Sequence, residues 1–95
     1  MILTNHAEER GDQRLGLNHK GLEHLAQHAL EKGISASMVK GKMKKYFDFL
    51  YLSHNNVANN IRIFGEFVYI FKGEILITII NLPNEHKNYK KYLKK

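Results

Sequence analysis

The chain has 95 residues, of which 43% are apolar, and its 15 lysines and arginines against nine acidic residues give a formal net charge of +6. A chain of this length supports one domain with one modest core. The absence of cysteine excludes disulfides, thiolate catalysis and thiolate metal sites, whereas the excess of positive charge favours an acidic partner, most often nucleic acid.

The sequence shows no segment that would carry the chain into or across a membrane. The longest mainly apolar run, residues 75–80, is much shorter than the roughly 20 residues that a bilayer span needs. The N-terminus also lacks the basic and then apolar layout of a signal peptide. We therefore expect a cytoplasmic protein of a bacterial host cell, with no membrane partner.

The first predicted elements are a short strand over residues 1–4 and a helix over 6–14, which Thr4 or Asn5 can cap. On a helical wheel a seam of small or apolar residues would let this helix lie close to a sheet: Ala7, Gly11 and Leu15. Gly11 lowers the helix propensity by about 1 kcal/mol relative to alanine, so the helix could also break there.

A second helix is predicted over residues 19–32 from an apolar stripe at helical spacing: Leu22, Leu25, Ala26, Ala29 and Leu30. Gly33 follows at a position where a left-handed helix end is common. The next segment, 37–53, is also predicted as a helix, from the line Val39, Met43, Tyr46, Phe47 and Leu50. Because further apolar residues lie off that line, part of this segment could instead be a buried strand.

The second half of the chain has the pattern of a sheet. After a polar loop over 54–60, strands are predicted over 61–64, 67–71 and 75–82, joined by turns short enough for hairpins. The layout is α+β: an N-terminal strand and two to three helices packed on one face of a small antiparallel sheet. Residues 1–86 form the predicted domain, and 87–95 a basic C-terminal tail.

The residues with the clearest chemistry are His6, Arg10 and Arg14, at i, i+4 and i+8 of the first predicted helix. That spacing places one imidazole and two guanidinium groups in a row on one helix face. Such a row suits metal-independent RNA cleavage, because a histidine can transfer the proton while two arginines hold the phosphate. The alternative is a solvated row whose arginines pair with Glu8, Glu9 or Asp12.

Other cations are candidates for nucleic-acid binding. One cluster, Lys40, Lys42, Lys44 and Lys45, has Tyr46 and Tyr51 nearby and could bind a backbone while an aromatic ring stacks on a base. The simpler alternative is that these lysines form the solvent-exposed face of a helix. Arg62, a lone cation on an apolar strand, is a further candidate contact, and its alternative is a charge that protects an exposed strand edge.

A metal site is the weakest candidate. His24 and His28 have the i, i+4 spacing of metal ligands, with Glu31 three residues further. They lie opposite the apolar stripe of the second helix, and the sequence offers no second cluster of ligands. We expect no metal and no other cofactor.

The opening motif also carries a resemblance. The pattern His-Ala-x-x-Arg-x-x-x-Arg-x-Gly over residues 6–16 resembles small bacterial and phage domains related distantly to RelE-type ribonuclease toxins and their wider fold group (barnase, EndoU, colicin and RelE, or BECR). Later segments are similar to a family of short proteins from Firmicutes and their prophages: Asn60-Ile-Arg-Ile-Phe, Tyr69-Ile-Phe, Leu76-Ile-Thr-Ile and Leu82-Pro83.

The resemblance implies two N-terminal helices on an antiparallel sheet of the RelE or BECR kind, with RNA cleavage or RNA binding as the activity. It implies a site made of His6, Arg10 and Arg14, with a contribution from Thr78. It also implies an alternative, a non-catalytic phage inhibitor that binds a host defence protein or ribonucleoprotein complex. A cognate antitoxin and a second copy of the chain are further candidate partners.

Overall fold

The computed structural model describes residues 1–55 and 57–94; Asn56, in the predicted loop, and Lys95, in the predicted tail, lie outside the described residues. The strands and helices follow in the order β1 (Ile2–Leu3), α1 (Asn5–Leu15), α2 (His19–Lys32), α3 (Gly41–Ser53), β2 (Asn60–Phe64), β3 (Phe67–Lys72) and β4 (Ile75–Asn81). Three short 3₁₀ turns lie at Ala36–Met38, Asn84–His86 and Tyr89–Tyr92. The α+β class is confirmed, with every predicted element present and its bounds shifted by a few residues at most.

The sheet is mixed and not antiparallel throughout. Its strand order is β1-β4-β3-β2, and the two hairpins make β2, β3 and β4 antiparallel. β1 pairs with β4 in the parallel direction, with Ile2 opposite Ile75. The prediction of an antiparallel sheet was wrong for this strand, because its direction is set by the long helical connection and not by a hairpin.

Helices cover both faces of the sheet, so the prediction of one covered face was wrong. Buried residues of α1 and α2 pack against Tyr69, Phe71, Leu76 and Ile79. Buried residues of α3 pack on the opposite face, against Ile61, Ile63, Val68 and Ile70. The physical reason is the composition of β3, because successive side chains of a strand point to opposite faces and both sets are apolar here.

The ends of α1 and α2 are specified by local hydrogen bonds. The side chain of Thr4 accepts a hydrogen bond from the N–H of Ala7, and the side chain of Asn18 accepts one from the N–H of Gly21. Gly33, expected in the left-handed conformation, has φ −67°. It is needed for another reason, because a Cβ at this position would meet the carbonyl oxygen of Ala29 and lie 2.9 Å from the Cβ of Arg62 on β2.

The third helix is shorter than predicted. Residues 36–38 form a 3₁₀ turn, Val39 is extended and bridges to Leu93, and α3 begins at Gly41, which has φ 59°. The predicted line is confirmed in Val39, Met43, Phe47 and Leu50, all of which are buried. Residues 41–53 are helical throughout, so the alternative of a buried strand does not apply.

The stretch predicted as a basic tail is packed on the core as far as the structure describes it, to residue 94. The Tyr89 ring is buried, and its hydroxyl donates a hydrogen bond to the carbonyl of Gly65 at 3.1 Å. The backbone N–H of Lys94 donates to the carbonyl of Met38 at 2.9 Å. These contacts extend the domain beyond the predicted boundary at residue 86.

Candidate functional site

The position of α1 decides which of its residues face outward. The hydroxyl of Thr4 donates a hydrogen bond to the carbonyl of Ile77 at 2.8 Å, which ties the start of α1 to β4. Ala7 and Gly11 are buried against the sheet and α2, as the small-residue seam predicts. The face next to this seam carries His6, Arg10 and Arg14.

The three predicted site residues lie along this face, and the first two are in contact. The guanidinium Nε of Arg10 donates to Nε2 of His6 at 3.5 Å, which is long for a hydrogen bond. Arg10 Nη1 also donates to the Gln13 side-chain oxygen at 2.9 Å. His6 is exposed, whereas Arg10 and Arg14 are half-buried.

If the row were only a solvated surface, its arginines should pair with Glu8, Glu9 or Asp12, and these ion pairs do not form. Within residues 1–55 and 57–94, no carboxylate oxygen lies within 4.0 Å of a guanidinium nitrogen of Arg10 or Arg14. Glu8, one of the expected partners, instead lies 2.6 Å from Nδ1 of His19 on α2. The Nε of Arg14 is buried and has no hydrogen-bond partner there. The row therefore carries two positive charges that no side chain of the described part neutralises.

Arg62 does not join this row. It lies on β2, where its Nε donates to the side-chain oxygen of Asn60 at 3.0 Å and its Nη1 donates to the carbonyl of Gly33 at 3.2 Å. α1 packs on β4, which is separated from β2 by β3. Arg62 thus holds the end of α2 on the edge strand of the sheet, and it is not a partner of His6.

The lysine cluster lies on the opposite side of the molecule from the row, because α3 covers the other face of the sheet. Lys44 pairs with Asp48 at 2.8 Å, and the ammonium of Lys42 donates to the carbonyl of Glu85 at 2.9 Å. Lys40 and Lys45 are exposed. The predicted catalytic residues therefore share one helix face, on which His6 and Arg10 are in contact, and they lie apart from the predicted nucleic-acid contacts.

Thr78 is also directed away from α1. It lies opposite Ile70 in the sheet register, and Ile70 belongs to the core on the α3 side. Tyr69 does face α1 and α2, but it is almost completely buried, and that burial raises its pKa to about 12. Neither residue reaches the outward face of α1, so the sheet contributes no proton donor to the row from these positions.

His24 and His28 contact each other on α2, with ring centroids 4.6 Å apart in an edge-on arrangement. Within the described ranges, no group of three or more histidine, cysteine, aspartate or glutamate residues is arranged to hold a metal ion.

No described helix is both long and apolar enough to cross a membrane.

A groove that the sequence did not predict lies on the opposite face, and we call it the α3 groove. It has a volume of about 630 Å³ and lies between α3 and the turn at Asn84–His86. Its lining residues are Gly41, Lys42, Lys45, Tyr46, Phe49, Pro83, Glu85 and His86. No sequence signal places the last three next to α3, because only the folded chain brings them there.

Two rings form the inner wall of this groove. Tyr46 and His86 lie with ring centroids 4.3 Å apart and an angle of 32° between their planes. Burial raises the pKa of the Tyr46 phenol, with a smaller contribution from Glu85, and burial lowers the pKa of His86. The Glu85 carboxylate, 3.7 Å from Nε2 of His86, opposes the effect of burial on the pKa of this ring.

Comparison with protein-family models, with curated proteins and with solved structures gives no match for this chain.

Proposed function

We propose that this chain binds RNA at a phosphate site formed by His6, Arg10 and Arg14, and that the site is of the metal-independent ribonuclease type. The observation that carries this proposal is the state of the two arginines, which have no carboxylate partner in the described part of the chain while Arg10 contacts His6. An unneutralised guanidinium binds phosphate in two-point geometry, and this site places one directly beside an imidazole.

The chemistry at this site would need few groups. The His6 imidazole accepts the proton of a ribose 2′-hydroxyl, whose oxygen then attacks the adjacent phosphorus. Arg10 and Arg14 stabilise the extra negative charge that develops on the phosphate oxygens. The bond to the 5′-oxygen breaks, that oxygen takes a proton from solvent, and a 2′,3′-cyclic phosphate remains. Because the attacking group is the 2′-hydroxyl, the proposal favours RNA over DNA.

The catalytic part is tested by incubating the purified protein with total RNA in EDTA. We expect cleavage that His6→Ala lowers by about 10² to 10⁴-fold while RNA affinity stays within about twofold. His24→Ala is the matched control, because His24 is an exposed histidine on α2 outside the row. Intact RNA with the unmodified protein would remove the catalytic part and leave RNA binding.

The binding part is tested by measuring RNA affinity against salt concentration. Each arginine that contacts a phosphate adds about 0.7 to the slope of log K against log salt for a single strand. Arg10→Ala and Arg14→Ala should each reduce the slope by about this amount, whereas Lys32→Ala, an exposed cation at the end of α2, should change it little. Equal effects of all three variants would mean that the row is not a specific site.

A second candidate function, non-catalytic inhibition of a host defence complex, has one observation in its favour. Phe49 and Leu52 on α3 are 60% and 75% exposed, and exposed apolar side chains on one helix are typical of a protein interface. This function predicts a stable stoichiometric complex with a host protein that Leu52→Asp disrupts and His6→Ala does not. The two functions are thus distinguished by which helix the activity depends on.

A further inference from the structure

The first turn of α3 lies at one end of the α3 groove, where Gly41 and Lys42 line it. Lys40 precedes this 13-residue helix and makes no side-chain cap, and the first turn contains no acidic residue. The first N–H groups of a helix have no partner within it, and the helix dipole makes this end attractive to anions. Lys42 and Lys45 line the groove beside it and add two positive charges.

The aromatic wall of the groove offers a second kind of contact. Phe49 lines it with 60% of its surface exposed, and Tyr46 lies one turn earlier on the same helix, packed on His86. Aromatic rings exposed beside a cationic groove are what a planar, negatively charged ligand requires, because the ring of such a ligand stacks while its charged group pairs with lysine.

His86 supplies the independent indication of a ligand. It lines the groove, only 7% of its surface is exposed, and its Nδ1 has no hydrogen-bond partner among the described residues. A buried imidazole nitrogen without a partner is unfavourable, so such groups usually mark a position where a polar atom belongs. The Nε2 of this ring lies 3.7 Å from the Glu85 carboxylate, and Nδ1 is itself covered, so the ring must turn toward the groove before a polar ligand atom can supply the missing partner.

We propose that the α3 groove binds a nucleoside monophosphate, with its phosphate at the first turn of α3 between Lys42 and Lys45 and its base against Phe49 and Tyr46. The volume of about 630 Å³ falls within the range of small-molecule sites and is sufficient for one nucleotide. The groove lies across the sheet from the His6 row, so this inference goes beyond the proposed function and does not depend on it. A free nucleotide and the 5′-phosphorylated end of an RNA strand share this chemistry.

The experiment is a titration of ¹⁵N-labelled protein with AMP, followed by NMR. We expect the amide signals of Gly41, Lys42 and Phe49 to shift in a saturable way. Adenosine and inorganic phosphate, titrated separately, should bind at least about tenfold more weakly, because each has only one half of the contacts. A 5′-phosphorylated trinucleotide serves as the second arm: if it shifts the same amides and AMP does not, the source is an RNA end.

Two matched pairs of variants localise the binding. Phe49→Ala should weaken AMP binding by about 5- to 100-fold through the lost stacking, whereas Leu52→Ala, on the same helix but outside the groove, should leave it unchanged. Lys45→Ala should weaken it by about tenfold, whereas Lys44→Ala should not, because Lys44 pairs with Asp48. All four positions are exposed, so the fold should tolerate these changes.

Glu85→Gln provides a test in which binding should improve. The Glu85 carboxylate lines the groove and opposes a phosphate, so its removal should tighten AMP binding by about twofold. Three results would overturn the proposal: no shift of the groove amides with AMP or the trinucleotide, inorganic phosphate binding as tightly as AMP, or equal effects of Phe49→Ala and Leu52→Ala. Failure of RNA binding at the His6 row would leave it standing.

Discussion

Gly11→Ala should destabilise the protein although alanine is the better helix former. The helix propensity of alanine favours the variant by about 1 kcal/mol. A Cβ at residue 11, however, would lie 2.6 Å from Cδ2 and 3.0 Å from Cδ1 of Leu22. Leu22 is 1% exposed, so it can only move into a packed core, and such overpacking costs about 1–3 kcal/mol. We expect a net loss of about 1 kcal/mol in the free energy of unfolding.

Urea unfolding followed by circular dichroism measures this change, and for a domain of this size 1 kcal/mol corresponds to a fall in Tm of about 4–8 °C. Gly21→Ala on α2 is the matched control, because its nearest new neighbour, Cδ2 of the half-buried Leu17, lies at 3.2 Å. That variant should gain a few tenths of a kcal/mol to about 1 kcal/mol. If Gly11→Ala were stabilised as much as Gly21→Ala, the contact between α1 and Leu22 would not limit the packing.

Three further predictions concern contacts that the fold creates. Tyr89→Phe should lower the free energy of unfolding by about 1 kcal/mol through loss of the hydrogen bond to Gly65, and Tyr89→Ala should lower it by about 3 kcal/mol. Urea unfolding measures both changes. If both variants were as stable as the parent, the C-terminal stretch would not be part of the cooperative unit. Burial lowers the pKa of His86 below its usual 6.5, so the unfolded chain binds this proton first as the pH falls, and stability should decline below about pH 6.5. Thermal unfolding of His86→Phe should show a smaller decline over the same pH range. An equal decline in the variant and the parent would contradict the assignment to His86. Arg62→Leu should lower the free energy of unfolding by about 1 kcal/mol through the lost contact with Gly33, and RNA affinity should fall no more than in Lys32→Ala. A tenfold loss of RNA affinity at unchanged stability would instead support Arg62 as a nucleic-acid contact.

Local patterns were sufficient to predict the helices and strands. The spacing of Leu22, Ala26 and Ala29 leaves α2 no other face to bury, and the bounds of that helix agree with the prediction. The alternation in β3 and the turns beside Gly65 and Gly73 likewise predict the two hairpins, because only glycine adopts the positive φ of those turns without strain.

Patterns could not predict how the elements are combined. The two apolar faces of β3 show that both must be covered, but not which helix covers which, and we expected all helices on one side. Gly33 shows the same limit: its position suggested a left-handed helix end, whereas a Cβ there would meet the carbonyl oxygen of Ala29 and also the Cβ of Arg62, which approaches from a strand far along the chain. Such approaches involve residues whose separation in the chain carries no information about their distance.

The candidate site likewise depends partly on local spacing and partly on the tertiary structure. The i, i+4 spacing alone determined that His6 and Arg10 share a helix face, because the geometry of an α-helix is independent of its surroundings. The same spacing leaves Arg10 and Arg14 without an acidic residue three or four positions away. The tertiary structure decided the rest, because it brings no carboxylate of the described residues within 4.0 Å of their guanidinium groups. The α3 groove was decided by the tertiary structure alone, since its walls come from segments about 40 residues apart that meet only when the C-terminal turn packs on α3.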